Sequence, residues 1–129
     1  MKIAIFENEY DTIEVAFKYT NKKYYNGLLD ITNFPRSQSF KNKISDLNNY
    51  DLIIIDLDLS SNSELDGFGL IKEIEKEFGI AHPKMLILTG QDLEENFHLT
   101  NHLNYTYPVL EKPINYQKLK NKFDEMGII

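Results

Sequence analysis

The sequence contains no cysteine. Disulfides and thiolate metal sites are therefore excluded, and a reducing compartment suits the chain. No apolar run approaches the roughly 20 residues of a membrane-spanning helix, and the N-terminus has no signal-peptide pattern. Positive charge is scarce. Fourteen Lys and Arg stand against 20 Asp and Glu, a net charge of −6. That balance argues against a nucleic-acid-binding surface as the main activity. Neither an internal repeat nor a low-complexity tract is present. At 129 residues one domain over 1–129 is expected, long enough to build a core without staples. These exclusions lead to a soluble cytoplasmic domain with neither a membrane nor a nucleic acid as direct partner.

What is present is organised around Asp51-Leu52-Ile53-Ile54-Ile55-Asp56-Leu57-Asp58-Leu59. Three consecutive β-branched isoleucines inside an apolar run read as a strand buried on both faces, usually a central parallel strand. A desolvated carboxylate is costly in the middle of such a strand. At its carboxyl end the penalty vanishes, because the ligand crevices of open α/β sheets lie there. Taken alone, Asp56 could equally end a strand or cap a helix.

The remaining pattern alternates. Lys2–Phe6 is a short strand ending in Glu7-Asn8-Glu9, and Ile13, Ala16 and Phe17 stripe a helix from about 10 to 22. Leu28–Ile31 is a weaker strand stopped by Pro35. Phe40, Ile44 and Leu47 predict a second helix, with Ser37 or Ser39 as N-cap candidates. After the central strand a polar loop runs to Asp66-Gly67, and Ile71, Ile74 and Phe78 stripe a third helix that Gly79 ends. Met85–Leu88 is a strand ending in Thr89-Gly90. A weakly patterned helix follows over 91–103, anchored by Leu93 and Phe97. Tyr107–Leu110 is the last strand, with Pro108 suiting an edge. Lys112-Pro113 and a closing helix striped by Tyr116, Leu119, Phe123 and Met126 complete the chain. Five alternations predict a flavodoxin-like, doubly wound (βα)5 fold, its parallel sheet flanked by five helices, with 2-1-3-4-5 as the natural strand order.

In a parallel sheet every strand C-terminus lies at one edge. That edge would carry Glu7 and Asn8, then Asp56 and Asp58, then Thr89, then Lys112. Carboxylates suit a hard cation such as Mg2+. Phosphoryl transfer requires that cation, a phosphate-binding lysine, and hydroxyl or backbone donors. An ionised carboxylate can itself be the nucleophile and form an aspartyl phosphate; Asp56, at the centre, is the candidate. His82, His98 and His102 lack metal-ligand spacing and read as surface residues.

With these residues in place the chain resembles the receiver domain of bacterial two-component response regulators over its whole length. The resemblance rests on Lys2–Glu9, Asp51–Leu59, Asp66-Gly67-Phe68, Leu86–Gly90 and Leu110–Ile114. It implies that Asp56 accepts a phosphoryl group from a histidine kinase, a histidine phosphotransfer protein or a small phosphodonor. It also implies Mg2+ held by Glu7, Asn8, Asp56 and the backbone carbonyl of Asp58. Thr89 would swing to the phosphoryl oxygen, and Lys112, ahead of a cis Pro113, would pair with it. The face of the fourth helix, last strand and closing helix would then shift, engaging a downstream target or output domain or supporting a homodimer. Such a domain turns over only its own aspartyl phosphate and is not an enzyme toward added substrates.

Three positions depart from that pattern. Asn8 stands where a second acid is usual, which predicts weak Mg2+ binding. The loop from Asp56 to Asp66 is longer and lacks its usual proline. Val109 replaces an aromatic, for which Tyr107, on the same strand face, is the substitute on offer. A stand-alone receiver and a piece of a longer regulator both fit. Two rivals remain open: a pseudo-receiver that binds proteins without phosphorylation, and a phosphatase of the haloacid-dehalogenase type, suggested by Asp56-Leu57-Asp58-Leu59-Ser60.

Overall fold

The structure is a computed structural model that describes residues 1–128; the last residue of the expected 1–129 domain lies outside them. Five strands form one parallel sheet: β1 (Lys2–Phe6), β2 (Asp30–Phe34), β3 (Leu52–Asp56), β4 (Lys84–Thr89) and β5 (Val109–Glu111). Their order is β2-β1-β3-β4-β5, as the alternation predicts. The helices are α1 (Glu14–Tyr25), α2 (Gly67–Phe78), α3 (Phe97–Thr100) and α4 (Tyr116–Glu125), with short 3-10 turns between. Among the described residues no helix is long and apolar enough to cross a membrane.

Successive side chains of a strand point to opposite faces, so the isoleucine run feeds two cores. Ile53 and Ile55 join Ala4, Phe6, Met85 and Ile87 beneath α2. Leu52 and Ile54 join Ile3, Ile5, Leu86 and Leu88 beneath α1 and α4. All five β3 residues are buried, as a central strand requires. Asp66 starts α2 by accepting the Gly69 N–H at 2.7 Å, and Asn115 starts α4 by accepting that of Lys118 at 2.9 Å.

Two expected helices are absent as such. Phe40, Ile44 and Leu47 predicted one, but 35–50 forms only the 3-10 turns Ser37–Ser39 and Ile44–Asn49. The segment is rich in short polar side chains that bond nearby backbone instead: Ser39 Oγ takes the Arg36 N–H and Asp46 Oδ2 the Lys43 N–H. Phe40 and Leu47 are still buried, packed with Phe34 and Tyr50. Ser37 caps no α-helix; its Oγ accepts the Leu65 N–H, stapling the long loop after β3. The helix expected over 91–103 shrinks to the single turn α3. Only Leu93, Phe97 and Leu103 there are apolar anchors, and Leu99 is 76% exposed. The weaker strand also starts later than Leu28. Asn33, inside it, fastens β2 to β1 through bonds to the carbonyls of Ile5 and Glu7.

Candidate functional site

Backbone pairing brings the strand ends together. Asp56 is paired with Leu88, so Thr89 is one step beyond it on the neighbouring strand. The Lys112 N–H donates to the Thr89 carbonyl at 2.7 Å, carrying Lys112 off the end of β5 toward Asp56. The Lys112–Pro113 peptide is cis. Glu7 leaves β1 with its N–H bonded to Phe34 O at 3.1 Å.

Glu7, Asp56 and Thr89 are each 1% exposed. Lys112 Nζ lies 2.7 Å from Asp56 Oδ2, a hydrogen bond, and 2.6 Å from Glu7 Oε2. The second contact is ionic only, for its angles leave Glu7 Oε2 without a hydrogen-bond donor. Asp56 Oδ1 accepts the Asp58 N–H, Glu7 Oε1 the Glu9 N–H and Thr89 Oγ1 the Gln91 N–H, each at 2.9 Å. The side chains of Asn8 and Asp58 stand at the solvent rim, both residues being exposed.

Two buried carboxylates thus share one ammonium. Burial first, and then the adjacent Asp56, push the Glu7 carboxyl up to about 7, against the pull of Lys112 and the Glu9 N–H. Burial opposes the charge of Lys112, yet its bonds to Asp56 and Glu7 outweigh that and hold its pKa above the ordinary value. A second positive charge would settle Glu7. Mg2+ is held by one or two carboxylates and keeps several waters. The orphaned Oε2 of Glu7, Asp56 beside it and the Asn8 amide at the rim fit such an ion. Among the described residues no group of three His, Cys, Asp or Glu forms a dedicated metal cage.

The Glu7 environment has a measurable consequence. Its folded-state pKa lies above the ordinary 4.5, so between those pH values the folded protein binds more protons than the unfolded chain. Stability without metal should therefore rise as pH falls from above 7 toward 4.5, by up to about 3 kcal/mol. His98 acts oppositely, since burial lowers its pKa and the fold prefers it neutral. Glu7→Gln isolates the first effect. Denaturant unfolding of both proteins at pH 8 and pH 5.5, in chelator, should show the variant more stable at pH 8 and the gap reduced by about half at pH 5.5. Parallel curves would contradict the assignment.

Some roles were not visible in the pattern. An added Cβ on Gly67 would lie 2.4 Å from both Asp56 O and Leu57 Cα, so the start of α2 rests directly on the Asp56–Leu57 backbone. Glu75 is buried at 4% exposure. It stands four residues after Ile71, on the core stripe, and that spacing was the available signal. His98 is not a surface residue: it is half-buried and its Nε2 accepts the Tyr107 N–H at 2.9 Å. His82 is half-buried beside Tyr105 and Tyr107, and only His102 is exposed. Tyr107 does not stand in for the missing aromatic. It precedes β5, at the far end from Thr89, which pairs with Glu111, and its hydroxyl donates to Glu75 Oε2 at 2.5 Å.

The sheet order is that of the response-regulator receiver fold, and solved receiver-domain structures match the chain's fold nearly end to end. The signal receiver domain of a DNA-binding response regulator from Colwellia psychrerythraea 34H is 15% identical, with a TM-score of 0.72 over 98% of each chain. The response regulatory domain of mrkE from Klebsiella pneumoniae is 19% identical, at 0.71 over 98% of this chain and 95% of its own. The receiver domain of a sensor histidine kinase from Pseudomonas aeruginosa PAO1, whose structure has magnesium in its active-site cleft, is 18% identical, at 0.67 over 98% and 97%. At such identities the likeness establishes the fold. No family model and no curated protein matches the chain.

Proposed function

We propose that residues 1–129 act as a receiver in phosphorelay signalling, with Asp56 as the phosphoacceptor. The observation that carries this is the pair of buried carboxylates, Asp56 and Glu7, bridged by the half-buried Lys112 Nζ 2.7 and 2.6 Å away. In the proposed reaction an Asp56 carboxylate oxygen attacks the phosphorus of a phosphohistidine or acyl phosphate. The bond from phosphorus to the imidazole nitrogen or acyl oxygen breaks, and that group leaves with the electron pair. Lys112 follows the charge to a phosphoryl oxygen, and Thr89 turns its hydroxyl to another. Glu7, Asn8, Asp56 and the Asp58 carbonyl would hold Mg2+, which when bound would supply charge neutralisation for the transferring group. Water later attacks the phosphorus of the aspartyl phosphate, the P–O bond to the carboxylate breaks, and inorganic phosphate leaves with Asp56 restored.

A histidine kinase or histidine phosphotransfer protein is the proposed donor. The face of α3, β5 and α4 is the proposed output surface, toward a downstream protein, an output domain or a second copy of the chain. Cytoplasmic location follows from that chemistry.

Phosphoryl uptake from acetyl phosphate with Mg2+ tests the proposal. The exposed Asn8 favours one alternative, a pseudo-receiver, which would take up nothing at any Mg2+ concentration. The phosphatase alternative predicts multiple turnovers of an added monoester, abolished by Asp58→Asn.

Asn8→Asp should tighten Mg2+ binding and lower the Mg2+ needed for labelling. One unit charge at about 4 Å is worth on the order of 4 kcal/mol at an effective dielectric of 20. At an exposed position solvation leaves about 1 kcal/mol of it, roughly fivefold in Kd. The same change should lower stability without metal, because it adds a carboxylate beside Glu7. Equal Mg2+ titrations of the two proteins would show that position 8 does not face the ion.

A further inference from the structure

The sheet has two edges, and β2 forms one of them. Along a strand alternate residues turn their backbone groups to opposite neighbours. The Asp30 N–H donates to Met1 O at 2.8 Å, and Phe34 O accepts the Glu7 N–H at 3.1 Å. With the register, those two bonds assign Asp30, Thr32 and Phe34 to the β1 side. The N–H and C=O of Leu29, Ile31 and Asn33 therefore face outward. Leu29 is closed by α1: Asn21 Oδ1 accepts its N–H at 2.9 Å and Asn21 Nδ2 donates to its carbonyl at 3.0 Å, as a neighbouring strand would. Pro35, the next outward residue, brings no N–H. Among the described residues nothing bonds the outward backbone of Ile31 and Asn33; the Asn33 side chain serves β1 instead. Open edges are ordinarily blunted by proline, charge or a covering element. This edge is blunted only at its ends.

The open stretch is its own complement. We propose that a second copy of the chain docks there, β2 against β2, antiparallel about a two-fold axis at Thr32. Ile31 then stands opposite Asn33 of the second copy, and Asn33 opposite its Ile31. Each such pair exchanges both N–H···O=C bonds, so every open group is met and none is left over. The same register sets the two Thr32 side chains side by side. It also brings Asp30 diagonally to Arg36 of the second copy, within reach of a long side chain. Arg36 is the chain's sole arginine and still extended, at φ −137 and ψ 160. Asp30, Thr32 and Arg36 are all exposed, and neither charge has an ionic partner among the described residues. Leu28, 72% exposed, comes against Pro35 and the Arg36 stem of the second copy. An unrelated strand could meet the backbone groups, but only a second copy supplies an acid and an arginine in mirrored places. The two copies point their strand ends in opposite directions, and β5 lies at the far edge of each. Both phosphoacceptor edges stay open, so the contact does not depend on the phosphoacceptor reading. With two residues of each edge engaged the interface is small, and the dimer is weak and concentration-dependent.

Sedimentation equilibrium over a rising concentration series tests this on the whole chain, without phosphodonor, beside residue-resolved amide hydrogen exchange at the lowest and highest concentrations. The native protein should pass from monomer to dimer. Exchange at Ile31 and Asn33 should slow severalfold as it does, while Thr32 and Phe34, already bonded to β1, keep their rates. Thr32→Lys sets like charges opposite each other at the axis and should weaken the dimer on the order of tenfold. The site is exposed, so the melting temperature of the dilute protein should hardly move. Asp30→Arg alone should weaken the dimer about fivefold, and adding Arg36→Asp to it should restore the native affinity. A monomer at every concentration overturns the proposal. So does a dimer whose Ile31 and Asn33 amides exchange as in the monomer, or one that Thr32→Lys leaves intact, since either puts the contact on another face. An Asp30→Arg dimer as tight as the native one overturns the register about Thr32.

Discussion

Asp56→Ala should take up no phosphoryl group from acetyl phosphate under conditions where the native protein takes up one. The loss should be complete rather than graded, because among the described residues Asp56 is the only buried carboxylate that accepts a hydrogen bond from Lys112. Asp56 Oδ2 is bonded to Lys112 and Oδ1 to the Asp58 N–H. Glu7 is buried too, but without metal burial and Asp56 push its carboxyl up to about 7, and with Mg2+ it would be committed to the ion rather than free to attack. Removing Asp56 withdraws one cause of that shift, so labelling at a new position, Glu7, is the specific way this expectation could fail. The exposed Asp58 is the other carboxylate to check. Peptide mapping of the labelled native protein and of the variant distinguishes these cases.

Gly67→Ala should be the most damaging small substitution near the site. The added methyl would meet backbone atoms 2.4 Å away, the Asp56 carbonyl oxygen and Leu57 Cα. Neither can yield easily. Leu57 N–H is bonded to Leu88 O at 3.0 Å, and Gly67 N–H to Leu57 O at 3.3 Å, so strand end and helix start are tied. The clash must be relieved by lifting α2 off the sheet, where Leu70, Ile71 and Ile74 are packed. Overpacking of this kind costs about 3 kcal/mol, which is a large part of the stability of a domain this size. Phosphorylation should slow as well, because the backbone being moved carries Asp56. Gly90→Ala is the control: nothing lies within 4 Å of its Cβ and its backbone angle is ordinary. Denaturant unfolding of the three proteins compares them; equal midpoints for Gly67→Ala and the native protein would show that helix and strand do not touch as described.

The candidate site was legible because strand ends are punctuated by composition. Apolar runs stop at Glu7, Asp56, Thr89 and Lys112, and a parallel sheet sends all such stops to one edge. Two of the five expected helices were misread for a common reason. Phe40, Ile44 and Leu47 sit at helical spacing and are anchored in the core, or packed against it, just as a helix would place them. Side-chain burial does not require helical backbone, and the serines and asparagines around them satisfy that backbone locally. The segment over 91–103 has too few apolar positions to hold more than one turn, and the bonds that do hold it come from Thr89 and Glu75, residues remote in sequence. Such polar contacts leave no period to read. His98 was assigned to the surface for that reason: its partner is a backbone amide nine residues on.

We propose that Asp56, with Lys112 and Mg2+, accepts a phosphoryl group. Intact-mass measurement of the native protein after acetyl phosphate tests it most directly, with Mg2+ and again with chelator, followed by location of the modified peptide. The account predicts one added phosphoryl group in Mg2+ and none in chelator, on the peptide containing Asp56. An unmodified mass at high Mg2+, or a group on any other residue, would contradict it.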